Sequence, residues 1–226
     1  MYDPEVPTAT EAYGYAWSPL WSRFPELLLA ALLWTVIAAP GGILHKIGAV
    51  PLAFAYHTLV TVPLTFGALY VYLRAARGEA IRPAHLFEAF RSCYVQTIFA
   101  HVLFVTLVGM GLVLLVVPGL FIATRLAFVG FLVVDEAMDA PTAVRESWRR
   151  TEGIAGRIFL VWLLGIPLGV AGLALFGVGF VPAVMWIHLA FAVLFMAATD
   201  GMEALADGLR GSLRAEPGPA ADRAQS

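Results

Sequence analysis

The sequence has few charged residues and a single cysteine. Only 13% of its 226 residues are charged, and Cys93 is the single cysteine, so no disulfide can form within the chain. There is no P-loop, GxSxG, HExxH or dinucleotide-binding pattern, and no grouping of His, Cys, Asp and Glu at metal-ligand spacing. These absences make an enzyme the weakest functional class, and no cofactor is predicted.

What the chain has in abundance is apolar sequence. Its residues are 60% hydrophobic, with a mean hydropathy of +0.81, whereas a soluble domain is nearer half apolar and a quarter charged. Lipid must therefore be the solvent for most of the chain. The formal net charge is −2, so no overall basicity indicates a nucleic-acid partner.

Six apolar segments are long enough, or nearly so, to cross a bilayer, which takes roughly 20 helical residues. Pro40-Gly41-Gly42 interrupts the first, and the fourth is short. The segments are Leu27–Leu44, Ile47–Leu73, Tyr94–Val117, Leu120–Val134, Ile158–Phe176 and Val181–Ala198. We predict an all-α integral membrane protein, a six-span helical bundle formed by one domain over residues 1–210. Residues 211–226 are predicted to be a disordered cytoplasmic tail.

The basic residues predict the orientation of the bundle. Twelve of the fourteen lie before the first span or in the gaps after the second, fourth and sixth. Lys46 lies in a gap on the other side, and Arg125 lies inside a span. Because positive residues mark the cytoplasmic side, both termini are predicted to be cytoplasmic. The twelve are Arg23, Arg74, Arg77, Arg82, Arg91, Arg145, Arg149, Arg150, Arg157, Arg210, Arg214 and Arg223.

An aromatic helix pattern precedes the first span. Between residues 11 and 24, Tyr13, Trp17 and Trp21 recur at helical spacing, with Pro19 among them. Aromatic side chains favour the headgroup region, so the pattern indicates an interfacial helix along the membrane. The alternative is an ordinary helix packed on the end of the bundle.

Two later gaps contain shorter helix signals. Pro83 and Pro141 can each occupy the first turn of a helix. Apolar pairs four residues apart give each helix an apolar face. These pairs are Leu86 with Phe90 and Val144 with Trp148. We expect Trp148 to lie at the membrane interface.

The same signals recur as an internal repeat. A glutamate, a small residue and an aromatic residue occur together at Glu11, Glu88 and Glu146, and each return span begins with Val-Pro. This predicts three parallel units, about residues 11–80, 82–140 and 141–210, each made of a surface helix and two spans. Convergent membrane patterning is the alternative. The first return span departs from the pattern, because Arg74 follows it where Asp135 and Asp200 follow the other two.

Arg125 is the sharpest candidate for a ligand site. It lies ten residues before Asp135, so about 15 Å of helix would separate it from the acidic end of the span. An arginine inside a span costs about 2.5–3.5 kcal/mol on insertion scales, so it should face protein or water. It could bind a lipid phosphate or an anionic substrate. The structural alternatives are a bridge to helix carbonyls or a buried carboxylate, or a snorkelling side chain.

Three histidines also lie within the spans. His57 and His188 each follow the proline that opens a return span by six residues, and His101 lies in the third span. They could form a polar, ligand-binding cluster or a proton relay. Single histidines that are hydrogen-bonded between helices are the alternative.

Acidic residues mark the ends of two return spans. Asp135 and Glu136 follow the fourth span, and Asp200 follows the sixth. Capping and pairing with loop arginines are the roles expected of such helix-end acids. A catalytic acid pair would need a partner and a cleft, and the sequence indicates neither.

One stretch resembles a broad group of bacterial membrane proteins. The residues that carry the resemblance are Pro118-Gly119, Arg125, Asp135-Glu136, Ala143, Ser147-Trp148 and Gly153. They are similar to the pattern of the YciC-like proteins and of the membrane domain attached to some glycerophosphodiester phosphodiesterases. The resemblance implies a six-span protein of the bacterial inner membrane. The phosphodiesterase catalytic domain is absent from this sequence, so that activity is not implied.

Two functional hypotheses follow. The first is a non-enzymatic scaffold or accessory subunit that recruits membrane lipids or a protein partner in the same membrane. The second is a small transporter or an ABC-type exporter permease subunit, which would work with a cytoplasmic ATPase and handle a lipid or anionic solute through Arg125. Spans broken at Pro63 and Pro167 could frame such a transport site.

Overall fold

The computed structural model describes residues 6–174 and 179–215, with side chains described up to residue 200. Helices make up nearly all of these residues, and six are long and apolar enough to cross a membrane. In chain order, spans 1 to 6 are Phe24–Lys46, Val50–Ala76, Tyr94–Leu114, Val116–Asp135, Ala155–Ala174 and Phe180–Asp200. The prediction of an all-α, six-span, multi-pass membrane protein is therefore confirmed.

Two of the six spans are not continuous α-helices. Span 2 joins the helices Val50–Tyr56 and Val62–Ala76 through a π-helical turn, His57–Thr61. Span 4 joins Val116–Arg125 to Val129–Asp135 through three non-helical residues. Lipid cannot hydrogen-bond the backbone groups that such interruptions release, so protein groups must do so.

Span 1 passes without a break through Pro40, Gly41 and Gly42, where we expected an interruption. A proline removes one helical N–H and crowds the preceding turn. The hydroxyl of Tyr56 in span 2 donates to the Ile37 carbonyl in that turn. The expectation was wrong because Pro40 removes only one helical hydrogen bond, the one to the Val36 carbonyl, and a helix that crosses lipid can continue around such a loss.

The interruption in span 2 precedes Pro63. This proline has no N–H to donate to the Leu59 carbonyl four residues earlier. The Tyr94 hydroxyl, at the start of span 3, donates to that carbonyl instead, at 3.0 Å. By contrast, the helix of span 5 continues through Pro167, so the interruption considered there is absent.

Spans 3 and 4 form a tight helical hairpin. Only Leu115, in an extended conformation, separates the two helices. A Cβ atom added to Gly111 would lie 2.7 Å from the Gly119 Cα. The two glycines therefore allow the backbones of the two spans to approach closely, as small residues commonly do in membrane bundles.

This close approach predicts the effect of a single methyl group. We expect Gly111→Ala to lower the free energy of unfolding by about 1–3 kcal/mol, because the facing atoms are backbone and must move apart. Gly109→Ala is the matched control, since a Cβ atom there meets nothing within 4 Å. Unfolding in mixed micelles, followed by circular dichroism, would measure both changes. Equal stability of the two variants would contradict the prediction.

Three short helical segments accompany the spans. Short helix 1 is Ala9–Ser22, which Thr8 and Glu11 cap reciprocally and which continues through Pro19. Short helix 2 is a 3₁₀ turn, Pro83–Phe87, continued by an α-helical turn, Glu88–Ser92. Short helix 3 is Ala140–Arg150, and the Asp139 side chain accepts from the Thr142 N–H at 3.2 Å.

Each short helix packs against the side of a return span. In short helix 2, the Leu86 carbonyl oxygen lies 1.9 Å from where a Cβ atom on Gly67 of span 2 would be. In short helix 3, the Ser147 hydroxyl bonds to the backbone of span 4. In short helix 1, the Tyr13 carbonyl accepts from the Trp186 indole of span 6. Short helices 1, 2 and 3 thus pack on spans 6, 2 and 4.

The buried faces of these helices bear on the predicted repeat. The small residues of the three aligned triplets, Ala12, Ala89 and Ser147, are all completely buried. The stripe of short helix 3 that faces the protein includes Ala143 and Ser147, while Trp148 is exposed. The face of short helix 3 that packs on the protein therefore lies about one residue before the Val144–Trp148 face that was predicted from spacing. The threefold repeat itself stays a prediction. It agrees with the packing, because each short helix contacts the return span of a different predicted unit from its own.

The C-terminal boundary differs from the prediction. The helix of span 6 continues to Ala215, so residues 211–215, assigned to the disordered tail, are helical. The helix of the last span runs through residue 210 without ending there. The rest of the predicted tail, residues 216–226, lies outside the described residues.

Candidate functional site

The interruption in span 4 is sealed by short helix 3. The first helix of the span ends at Arg125 and the second begins at Val129. The Ser147 hydroxyl donates to the Arg125 carbonyl at 2.9 Å and accepts from the Phe128 N–H at 3.2 Å. The Thr151 hydroxyl lies 3.2 Å from the same carbonyl, although its shorter contact is with the Ser147 carbonyl. One buried serine therefore satisfies two of the backbone groups that the interruption releases.

The Arg125 side chain is held by aromatic rings. It is only 9% exposed, and its guanidinium lies over the rings of Trp148 and Phe121, at 4.9 and 5.7 Å from their centroids. Its Nε is buried without a hydrogen-bond partner. Among the described residues, no carboxylate or carbonyl bonds to this guanidinium, so neither structural bridge considered for Arg125 is present.

The nearby acidic residues are committed to other arginines. Asp135 accepts two hydrogen bonds of 2.6 Å from Arg77. Glu136 accepts two from Arg150, at 2.5 and 2.8 Å. The pairing with loop arginines expected of these two helix-end acids is therefore observed. Asp200, the third, lies exposed at the end of span 6.

Arg150 joins three parts of the protein. Besides Glu136 of span 4, it donates to Glu146 of its own helix at 2.7 Å and to the Thr199 hydroxyl of span 6 at 2.9 Å. Burial lowers the pKa of Arg150, but the hydrogen bonds to Glu136 and Glu146 more than offset this and raise it. Hydrogen bonds from Arg149 and Arg150 lower the pKa of Glu146. Both shifts favour the charged forms of Arg150 and Glu146.

The histidines do not share a site with Arg125. The rings of His57 and His101 lie 5.8 Å apart, and His188 stacks on Tyr72 at 5.0 Å. His101 and His188 both line a cavity of about 320 Å³ among spans 2 to 6, whereas His57 does not. Span 4 contributes Ala123, Leu126 and Ala127 to this cavity, while its Arg125 faces short helix 3. The structure thus separates two candidate sites on two faces of span 4.

The aromatic residues predicted to lie at the membrane interface fall into two groups. Trp17, Trp21 and Trp148 are exposed on the protein surface. Tyr13 is buried, and its hydroxyl donates to the Val161 carbonyl at 2.9 Å. Desolvation raises the pKa of Tyr13 to about 12. Tyr13 thus packs inside the protein, because it shares the buried face of short helix 1 with Ala12 and Ala16, and its place at the membrane interface stays a prediction.

Ser147 and the interruption that it seals were not singled out from residue chemistry. The non-helical residues 126–128 contain neither proline nor glycine, so no breaker signal precedes the interruption. The sequence feature that could have indicated Ser147 is the Ser147-Trp148 pair in an otherwise charged helix. This pair was noted only as part of the family resemblance.

Comparison with protein-family models, with curated proteins and with solved structures finds no match to this chain.

Proposed function

We propose that this protein is a non-enzymatic membrane scaffold or accessory subunit that recruits an anionic lipid through Arg125. The observation that carries the proposal is an arginine that is nine-tenths buried, whose guanidinium lies over Trp148 and Phe121 and lacks an anionic partner among the described residues. We also propose that it belongs to the YciC-like group and lies in the bacterial inner membrane with both termini in the cytoplasm.

Among the described residues, cation–π contacts alone compensate the charge of Arg125. Each cation–π contact contributes about 0.5–2 kcal/mol, while a span arginine costs about 2.5–3.5 kcal/mol on insertion scales. The rings interact with the charge and use none of its N–H donors. The donors that remain suit the paired oxygens of a phosphate, which guanidinium groups bind in a bidentate manner.

The surroundings of Arg125 favour a lipid over a soluble anion. Phe121 and Trp148, the two flanking rings, are exposed on the outside of the bundle. Next to them, the tip of the hairpin between spans 3 and 4 presents strongly exposed apolar residues such as Val113 and Val117. In a multi-pass protein these surfaces face lipid tails. A phosphate that approaches from this side would belong to a lipid molecule.

The experiment measures the lipid that remains bound. The protein is purified into nanodiscs of mixed phosphatidylglycerol and phosphatidylcholine, released, and examined by native mass spectrometry. We expect the wild type to retain phosphatidylglycerol, and Arg125→Gln to retain about tenfold less, since a charge-assisted bidentate contact is lost. Arg125→Lys keeps the positive charge but lacks the two parallel N–H donors of a guanidinium, so it should retain an intermediate amount of phosphatidylglycerol.

The control is Arg145→Gln, an exposed arginine on short helix 3 whose side chain bonds only to the Pro141 carbonyl. It should retain lipid like the wild type. An excess of inorganic phosphate separates the two sources of anion, because it displaces a soluble anion but not a lipid that is anchored by its chains. Equal retention by wild type and Arg125→Gln, with both folded, would contradict the proposal.

A transporter or ABC-type permease subunit is the second candidate, and the internal cavity is the observation that favours it. That cavity lies among five spans, and Leu126 and Ala127 of the non-helical part of span 4 line it. Irregular backbone that lines a cavity is typical of transport sites. Stoichiometric co-purification of an ATPase with the protein would favour this candidate. A lone protein in mild detergent would weigh against it.

A further inference from the structure

We propose that the cavity among spans 2 to 6 binds a long-chain alcohol, meaning an apolar chain that carries a single hydroxyl group. This site is separate from Arg125 and does not depend on the anionic lipid proposed above. Three properties of the cavity carry the inference, namely its apolar wall, its lack of charge and its two free imidazoles.

The wall of the cavity selects an uncharged apolar ligand. Aromatic and aliphatic side chains, among them Phe66, Phe104, Phe131 and Trp162, form most of it. No charged side chain lines it, because Arg125 faces the other side of span 4. Its volume of about 320 Å³ lies at the lower end of the range for ligand cavities. A phosphate or carboxylate would find no counter-ion there.

His188 presents a hydrogen-bond acceptor to this cavity. Its Nδ1 lies 2.8 Å from the Val184 carbonyl oxygen. A carbonyl can only accept, so Nδ1 carries the proton, and in the neutral imidazole Nε2 is then an acceptor. The Tyr72 ring stacks on the imidazole and fixes its orientation. No described residue donates to Nε2.

His101 is the second free polar group. Neither of its ring nitrogens has a hydrogen-bond partner among the described residues, and its edge contact is with the His57 ring. The hydroxyl of Thr65, another residue of the wall, is already satisfied, since it donates to the Thr61 carbonyl and accepts from Trp34. A polar group left without a partner in an apolar site is costly.

A hydroxyl group complements the two imidazoles. It donates one hydrogen bond and accepts others, so it can donate to Nε2 of His188 or bond to either ring nitrogen of His101. The attached chain would occupy the apolar remainder of the cavity. A hydrocarbon without a hydroxyl would leave both imidazoles unsatisfied, and the site should therefore discriminate against it.

The experiment compares two photoreactive probes in nanodiscs that contain the full-length protein. One is a long-chain alcohol with a diazirine in its chain, and the other is its methyl ether, which cannot donate. Crosslinked positions are mapped by mass spectrometry after proteolysis. We expect the alcohol to label cavity residues about fivefold more than the ether, the worth of roughly one hydrogen bond.

Variants locate the site. Ala127→Leu fills the cavity and should abolish the labelling, while Ala171→Leu, at an exposed position on span 5, should not. His188→Phe keeps the stacking on Tyr72 and removes the acceptor, so it should lower the alcohol labelling to the level of the ether. His45→Phe, at an exposed position outside the cavity, is its control.

The comparison of the two probes uses the wild-type protein, so its result does not depend on whether any variant folds. Equal labelling of the cavity by alcohol and ether would overturn the hydroxyl assignment. Labels found only on lipid-facing residues, or labelling that Ala127→Leu leaves intact, would overturn the site. A cavity that holds water alone would likewise give no labels on its wall and would contradict the proposal.

Discussion

Replacing Arg150 by methionine is expected to lower the free energy of unfolding by about 3 kcal/mol, the lower part of the range for breaking a buried ion pair. The side chain is 9% exposed and joins Glu136, Glu146 and Thr199, so its removal leaves two carboxylates without their shared cation. The effect should lie in the lower part of the range because both carboxylates retain some access to solvent.

Arg149→Met is the matched control for this change. Arg149 is the adjacent residue, pairs only with Glu146, and is 60% exposed. Its loss should cost less than about 1 kcal/mol, as is usual for a surface pair. Equilibrium unfolding in mixed micelles by SDS titration, followed by circular dichroism, measures both variants. Equal losses would show that Arg150 does not join short helix 3 to spans 4 and 6.

Ser147→Ala is expected to cost about 1–3 kcal/mol, the penalty for leaving a buried backbone donor unsatisfied. Among the described residues the Phe128 N–H has no other partner, whereas the Arg125 carbonyl keeps its contact with Thr151. The variant should also retain less phosphatidylglycerol, because Ser147 holds Trp148 and the backbone of Arg125 in register.

The control for this second change is Ser92→Ala. Ser92 is an exposed serine whose hydroxyl donates to the Glu88 carbonyl of its own helix, with a contact to the Cys93 sulfur. Its replacement should change stability by less than about 0.5 kcal/mol, as for most surface sites. The same SDS titration compares the two serines. A Ser147→Ala variant as stable as Ser92→Ala would mean that the interruption in span 4 does not depend on short helix 3.

The six spans were predictable from the sequence because their signal is local. Twenty consecutive apolar residues leave the backbone no partner other than itself, whatever surrounds them. The departures from regular helix were not predictable in the same way. Span 1 stays continuous through Pro40 with a hydrogen bond from Tyr56 nearby, and span 4 is interrupted where Ser147 lies. In span 4 the group that satisfies the released backbone atoms is distant in sequence.

The sequence predicted how deep in the membrane the candidate residues lie, but not which side of its helix each side chain faces. Spacing from the return-span prolines places Arg125 and His188 at similar depths, but it does not show which way each side chain faces. Rotation about the helix axis separates them, since Arg125 faces Trp148 and Phe121 while Leu126 and Ala127 face the cavity. The sequence alone does not specify that rotation, because span 4 is apolar on nearly every side.

The most direct test of the Arg125 site is a distance measurement between its guanidinium and lipid phosphorus. Protein with ¹⁵N-labelled arginine is placed in phosphatidylglycerol bilayers, and dephasing of guanidinium nitrogens by ³¹P is recorded by solid-state NMR. The Arg125 signals are assigned by their loss in Arg125→Lys. We expect strong dephasing of Arg125 and none of Arg150, whose donors are engaged by Glu136 and Glu146. An Arg125 signal that ³¹P leaves unchanged would contradict the proposal that this arginine binds a lipid phosphate.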